Sequence, residues 1–214
     1  MNVPSLESFE KSDWEAINAA FQDAPSLALG QAWLEKPEEN FRHGTVQTGW
    51  HADAIVILAK LNDDVIFTKA SGDNQHLWTL GDVFEIFIKD ASREEYLELH
   101  IAPNGHRLQL RFPSGETIKQ VRNRELKLED CMVDQPLFDF SARIVPGGWE
   151  VWARIPVASL GSPAESAGGM SVFASFSRYD YADEKAPAVL SSTSAHTELN
   201  YHRQQEWKKL TFTE

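Results

Sequence analysis

From about residue 29 onward, polar and apolar residues alternate with a period of two, in short segments separated by glycine, proline, asparagine and aspartate. The clearest segment is residues 83–88, where Phe84, Ile86 and Ile88 fall on one face and Glu85 falls on the other. Successive side chains of a β-strand point to opposite faces, whereas helices repeat every 3.6 residues. The pattern therefore predicts antiparallel β-structure for most of the chain.

Two hairpins and several further strands are predicted. Residues 96–112 form the first hairpin around the turn 103–105, because its Asn and Gly tolerate positive φ angles. Residues 138–155 form the second around 146–148. Further strands are predicted at 29–34, 44–50, 54–60, 64–69, 171–179 and 206–212. About ten strands without long helices indicate an all-β, antiparallel two-sheet sandwich of the jelly-roll or immunoglobulin-like type.

The first 28 residues carry the only helical pattern that we identify. Trp14, Ile17 and Phe21 follow a Ser12-Asp13 capping signal at helix-like spacing. We predict a short helix or irregular lead-in over residues 1–28, packed on a single sandwich domain of residues 29–214. The stretches 157–170 and 180–198 are predicted to be surface loops.

Charge and cysteine content restrict the partners. The chain has 32 acidic and 20 basic residues, a net charge of −12, which repels nucleic acid and anionic membranes. The single cysteine, Cys131, excludes an intrachain disulfide. Neither a signal peptide nor an apolar run near the ~20 residues of a membrane helix is present. The default expectation is a cytoplasmic protein, or one that has lost its signal.

A polar face is predicted on the central strands, with Trp78 at its rim. If residues 83–88 lie beside the hairpin 96–112, one side of the sheet carries several polar groups. These are Glu85, Glu98, His100, Gln109 and Arg111. A flat aromatic ring beside carboxylate, amide and guanidinium groups suits a sugar, with its C–H faces and hydroxyl pairs. The alternatives are an ordinary solvated face and a core role for Trp78.

The acidic residues leave a catalytic and a metal-binding alternative open. Glu85 and Glu98 raise the possibility of a glycosidase, because such enzymes use a pair of carboxyl groups. The histidines have no metal-binding spacing, so a transition-metal site is not expected. Calcium has a slightly better case, although solvated loop acids are favoured over a site. The candidate calcium ligands are Asp53, Asp63, Asp64, Asp73 and Asp82.

Several motifs in the order found here resemble the family 9 carbohydrate-binding modules and their DOMON-like relatives. In that family a Trp precedes an Asp-x-x-Glu-Ile-Phe strand, and a Tyr-initiated strand ends in Asn-Gly. Residues 82–87 match the first strand, after Trp78, and residues 96–105 match the second. Residues 149–156 are similar to the family's strand ending in Ile-Pro, and 176–179 to its late aromatic-Arg strand.

The resemblance implies a β-sandwich that binds sugars between two tryptophans, above a Glu, an Arg and amides. Carried over by position, Trp78 is the first stacking residue, Glu85 the hydroxyl-binding acid and Arg178 a further contact. The second tryptophan is expected near residues 190–194, which contain none, so Trp207 replaces it or the aromatic pair is absent.

We therefore predict a non-catalytic domain that binds a mono- or oligosaccharide without a required cofactor. The predicted ligand-binding residues are Trp78, Asp82, Glu85, Glu98, His100, Gln109, Arg111 and Arg178. A glycoside-active enzyme and a protein-interaction module on the same fold remain alternatives.

Overall fold

The computed structural model describes residues 1–163 and 165–213 and forms two β-sheets packed face to face. The strands are β1 (Asn2–Val3), β2 (Ser26–Ala28), β3 (Gly44–His51), β4 (Ala54–Asn62), β5 (Val83–Asp90), β6 (Tyr96–Ile101), β7 (Arg107–Phe112), β8 (Asp139–Val145), β9 (Gly148–Pro156), β10 (Ser171–Asp180), β11 (Val189–Ser192) and β12 (Lys208–Phe212). The helices are α1 (Trp14–Ala20) and α2 (Gly115–Arg122). No helix among the described residues is long and apolar enough to cross a membrane.

The predicted two-sheet sandwich is confirmed. The seven-stranded sheet has the order β1-β12-β10-β5-β6-β7, with β11 added to β10, and the five-stranded sheet has the order β2-β3-β4-β9-β8. All strand pairs are antiparallel except β1 with β12. Both predicted hairpins form, as β6–β7 and β8–β9. Strand β5 lies between β10 and β6, so Glu85 is held in the middle of its sheet.

The space between the sheets is filled by the apolar faces of their alternating strands. Phe84 of β5 stacks on Phe176 of β10, with ring centroids 6.2 Å apart, and Trp149 of β9 is fully buried opposite them. The lead-in covers the outside of the five-stranded sheet, where Ile17 of α1 and Phe21, which follows the helix, pack on its outer face. Residues 1–28 also add β1 and β2 to the two sheets.

The outer face of the seven-stranded sheet is covered by α2, by residues 199–207 and by a 3₁₀ turn at Leu77–Thr79. Ser114 Oγ caps α2 by accepting the N–H of Glu116, and Ile118 is buried against the sheet. Helix α2 lies outside the lead-in, so the prediction of a single helical segment was wrong. Only one turn of its short sequence packs inward, which leaves little periodicity to detect.

Three predicted segments differ in the structure. Residues 64–69 are not a strand: they form one isolated bridge, between Thr68 and Gly81, and the Phe67 N–H donates to the carboxylate of Asp82. The predicted loop 180–198 contains β11, whose backbone pairs with β10. The strand predicted at 29–34 does not form, and β2 lies slightly earlier in the chain. The N–H of Leu29 donates to the carbonyl of Gly44, and the backbone of Gly30 pairs with that of Ser192.

Candidate functional site

A cavity of about 380 Å³ opens on the outer face of the seven-stranded sheet. Strands β5 and β6 form its floor, and α2 contributes Val121 and Arg122 to one wall. Residues 199–202 and Trp78 line other parts of it. A volume of this size falls within the range of small-molecule binding sites.

Strand register brings three predicted site residues together on the cavity floor. Glu85 of β5 is paired with His100 of β6, and Glu98 lies two residues earlier on the same face of β6. Nε2 of His100 lies 2.7 Å from Oε1 of Glu98 and 3.4 Å from Oε1 of Glu85. The three residues are 0%, 7% and 2% exposed, in the order His100, Glu98 and Glu85. They form a buried carboxylate–imidazole cluster, whose role in ligand binding stays a prediction.

Burial and proximity give the two carboxyl groups different protonation. Burial raises the pKa of Glu85 to about 8, opposed by His100 and assisted by the negative charge of Glu98. Burial also acts to raise the pKa of Glu98, but His202 and the hydrogen bond from His100 lower it below its usual value. The pKa of His100 is raised by the two carboxylates despite its burial. At neutral pH Glu85 is therefore neutral and Glu98 is ionised.

His202, in the segment after β11, joins the cluster, and Tyr201 lines the same cavity. The Tyr96 hydroxyl and Nδ1 of His202 share a hydrogen bond of 2.9 Å, while Nε2 of His202 lies 3.6 Å from Oε2 of Glu98. Burial lowers the pKa of His202. The sequence analysis did not identify either residue, because both lie in an irregular segment about 100 residues from β6.

Trp78 forms part of the cavity wall. It sits in the 3₁₀ turn Leu77–Thr79, half-buried, and its backbone carbonyl accepts a hydrogen bond from the Tyr181 hydroxyl. The ring of His76 stacks on one side of the indole at 4.8 Å, and His100 meets the indole edge-on at 5.4 Å. The predicted rim position of Trp78 agrees with this placement, because the residue lines the cavity.

Comparisons with known proteins identify the family. The family model described as carbohydrate family 9 binding domain-like matches residues 13–214. The chain belongs to this family. No curated protein matches the chain in sequence.

Solved structures with the same fold cover nearly the whole chain. A predicted carbohydrate-binding protein from Bacteroides uniformis ATCC 8492 has a TM-score of 0.76 at 15% identity, over 99% of this chain and 98% of its own. A family 9 module from Caldicellulosiruptor kristjanssonii in complex with cellotriose has a TM-score of 0.68 at 14% identity, covering 100% and 93%. A family 9 module from Caldicellulosiruptor kristjanssonii in complex with glucose has a TM-score of 0.65 at 14% identity, over 100% of this chain and 95% of its own.

Two predicted site residues of this family 9 domain, Gln109 and Arg111, lie on the face of the sheet opposite to the cavity. Ile101 pairs with Arg107, so the face of Glu98 continues onto β7 through Leu108 and Leu110, and the odd-numbered residues of β7 point toward the other sheet. Gln109 bonds to the backbone of Val133 and Leu137, and Arg111 bonds to Glu95 and Ser159. The prediction that Gln109 and Arg111 share the face of Glu85 was wrong.

Asp82 and Arg178 also lie away from the cavity. Asp82 accepts the N–H groups of Phe67 and Tyr181, and burial raises its pKa to about 7. Arg178 pairs with Phe84, so it faces the other sheet, where it is fully buried and bonds to Asp63. Their predicted place beside the Trp78 site was therefore wrong.

Some of the candidate calcium ligands meet in a second cluster. Carboxylate oxygens of Asp63, Asp82 and Asp180 lie within 4.8 Å of one another. The guanidinium group of Arg178 is 2.8 Å from Asp63 and 3.2 Å from Asp180, and it already supplies positive charge there. The remaining three form ion pairs with arginines: Asp53 with Arg154, Asp64 with Arg42 and Asp73 with Arg107. Calcium binding stays a prediction.

Trp207 does not replace the second tryptophan of the aromatic pair. It is 4% exposed, its indole N–H donates to the carbonyl of Tyr201, and its ring packs on Tyr96. At the position where the family pattern suggests a tryptophan, Leu190 lines the cavity. Among the described residues, the cavity lining therefore includes one tryptophan, Trp78.

Proposed function

We propose that this protein binds a neutral mono- or oligosaccharide, without catalysis, in the cavity between Trp78 and the Glu85–Glu98–His100 cluster. The observation that carries the proposal is the position of a half-buried indole beside buried carboxyl groups in a cavity of about 380 Å³. The indole offers a flat apolar face for sugar C–H groups. The carboxyl groups offer directional partners for hydroxyls.

The protonation of the cluster suits hydroxyl groups, which both donate and accept. A neutral Glu85 carboxyl donates and accepts, whereas an ionised Glu98 only accepts. Arg122 and Asn200, also in the cavity lining, add donors. Each sugar hydroxyl can therefore meet a partner of the matching kind.

Two further observations favour a neutral ligand of the glucose type. The net charge of −12 disfavours anionic ligands. Two solved structures of similar fold in the same family are complexes with cellotriose and glucose. Glucose and short β-glucans are therefore the first ligands to test.

Calorimetric titration with glucose, cellobiose and cellotriose tests the proposal, with Trp14→Ala as a matched control. Trp78→Ala is expected to weaken binding by about tenfold or more, since stacking contributes about 0.5–1.5 kcal/mol beyond area burial. Trp14 is a half-buried tryptophan on α1, in contact with Arg143 and outside the cavity, so Trp14→Ala keeps the wild-type affinity. Equal affinities in wild type and Trp78→Ala would overturn the site.

A hydrolytic function is a second candidate, because the two carboxyl groups differ in protonation as an acid and a base do. His100 argues against it. Its Nε2 lies between the two carboxyl groups, at 2.7 Å and 3.4 Å, where a glycosidase leaves room for the sugar carbon or water. Turnover of aryl glycosides or oligosaccharides that disappears in Glu85→Gln would favour the enzyme over the binding domain.

A further inference from the structure

We propose that Glu85, Glu98 and His100 bind a divalent transition-metal ion of the Zn²⁺ type on the cavity floor, with the fourth coordination position open to the cavity. The inference uses the same side chains as the proposed sugar site, and its test needs no sugar. No sequence motif predicts it, because the ligands come from two neighbouring strands.

The distances suit a small tetrahedral ion. One potential ligand atom from each of Glu85, Glu98 and His100 lies within 4.8 Å of the others. Zinc ligands at about 2.1 Å in a tetrahedron are separated by roughly 3.4 Å, and His100 Nε2 and Glu85 Oε1 are 3.4 Å apart. His202 lies outside this group, and its Nε2 is 3.6 Å from Oε2 of Glu98. The 2.7 Å contact of His100 with Glu98 is a hydrogen bond, which opens when the metal replaces the shared proton.

The Glu85 carboxyl group lacks a satisfactory partner within the protein. It is 2% exposed and lines the cavity, yet it accepts no hydrogen bond from any described residue. The nearest donor is Nε2 of His100, which is already bonded to Glu98. A buried carboxyl group without a donor is unfavourable, so the arrangement points to a ligand for Glu85 that the protein itself does not provide.

One ligand is oriented from outside the group. The Tyr96 hydroxyl hydrogen-bonds Nδ1 of His202, which fixes the ring and directs Nε2 toward Glu98, so His202 is an outer partner of the Glu98 carboxylate. Tyr96 is itself stacked on Phe112. His100 is fully buried and packs edge-on against Trp78. The site is therefore preorganised, and one side of it opens to the cavity.

Charge and ligand type favour zinc over calcium. Among the described residues, no lysine or arginine forms an ion pair with Glu85 or Glu98, so only imidazoles face the two carboxyl groups. A dication displaces the proton of Glu85 and neutralises both resulting carboxylates. Imidazole nitrogens select Zn²⁺, Cu²⁺ or Ni²⁺, whereas Ca²⁺ and Mg²⁺ prefer oxygen ligands throughout.

The test is titration of the EDTA-treated protein with ZnCl₂, combined with elemental analysis after gel filtration. We expect one zinc per chain, proton release that is detectable as buffer-dependent heat, and no competition by CaCl₂. Glu85→Gln and His202→Gln are expected to weaken zinc binding about 10–100-fold. Near-UV circular dichroism establishes that each variant is folded.

Two control variants identify the ligands. His106 pairs with Asp73 on the surface, and Cys131 is the single thiol, so His106→Gln and Cys131→Ser should retain one zinc. Absence of stoichiometric zinc in the wild type would overturn the inference. Equal affinity in wild type and in folded Glu85→Gln and His202→Gln would overturn it too. Zinc binding that is lost in Glu85→Gln and His202→Gln supports it whether or not glucose binds, so its failure is distinguishable from that of the sugar site.

Discussion

Nε2 of His100 lies 2.7 Å from Oε1 of Glu98, two residues earlier on β6, with both side chains buried. The period of two places them on one face of the strand, and the register of β5 adds Glu85 to the same group. This cluster is positioned by backbone pairing in the centre of a sheet. Its geometry is therefore as rigid as the sheet itself.

The buried carboxyl of Glu85 predicts a characteristic pH dependence of stability. Because burial raises its pKa from 4.5 to about 8, the folded protein retains a proton that the unfolded chain releases. This contribution to stability is fully present below about pH 4.5 and is lost as the pH rises through about 8. Glu85→Gln should therefore gain about 1–3 kcal/mol relative to wild type between pH 5 and pH 9.

Urea denaturation of wild type and Glu85→Gln at pH 5, 7 and 9 measures this difference. Glu116→Gln is the control, since Glu116 is exposed on α2 and pairs only with Lys119 among the described residues. Its stability profile should run parallel to that of the wild type. If the Glu85→Gln profile is also parallel, Glu85 is ionised in the folded state at neutral pH.

Gln109 is predicted to be a structural residue without a part in ligand binding. Its amide bonds to the carbonyl of Val133 and the N–H of Leu137, on the face opposite to Glu98. Gln109→Leu leaves both backbone groups unpaired and should cost about 1–3 kcal/mol. Sugar affinity, measured by calorimetry on the folded variant, should stay at the wild-type value. A loss of affinity without a loss of stability would contradict the observed register.

Arg178 is predicted to contribute to stability through the second acidic cluster. It is fully buried, and Arg178→Met removes the cation that faces Asp63 and Asp180. Breaking a buried pair in this way costs about 3–5 kcal/mol. Arg143→Met is the comparison, because Arg143 is half-buried and pairs with Glu150 near the surface, where about 0–1 kcal/mol is expected. If urea denaturation gives the same loss of unfolding free energy for both variants, the buried pairs of Arg178 contribute no more to stability than the surface pair of Arg143.

Leu190→Trp tests whether this cavity accepts a second stacking ring. Leu190 and Trp78 line the same cavity, which has a volume of about 380 Å³. An added indole that stacks on bound sugar should improve affinity by about 2- to 10-fold, corresponding to roughly 0.5–1.5 kcal/mol. Calorimetry with cellotriose measures the change, and Leu190→Phe should give a smaller gain. An unchanged or weaker affinity in a folded Leu190→Trp protein would place the sugar away from Leu190.

The sequence could predict the elements whose contacts are local. The alternation in 83–88 and the Asn-Gly turn after β6 are enough to specify a strand and a hairpin, because period and turn chemistry act over a few residues. The same period places Glu98 and His100 on one face. The sequence could not place Gln109, since one residue of difference in the turn length would exchange the two faces of β7.

Alternation along the chain by itself determined the two-sheet sandwich and the shared face of Glu98 and His100. Only the tertiary structure decided that Trp78 lines a cavity while Trp207 is core, that Arg178 faces the other sheet, and that His202 joins the cluster. The physical reason is that burial and ion pairing depend on groups brought together by strand order and loop packing. Residues far apart in the sequence carry no local signal of such contacts.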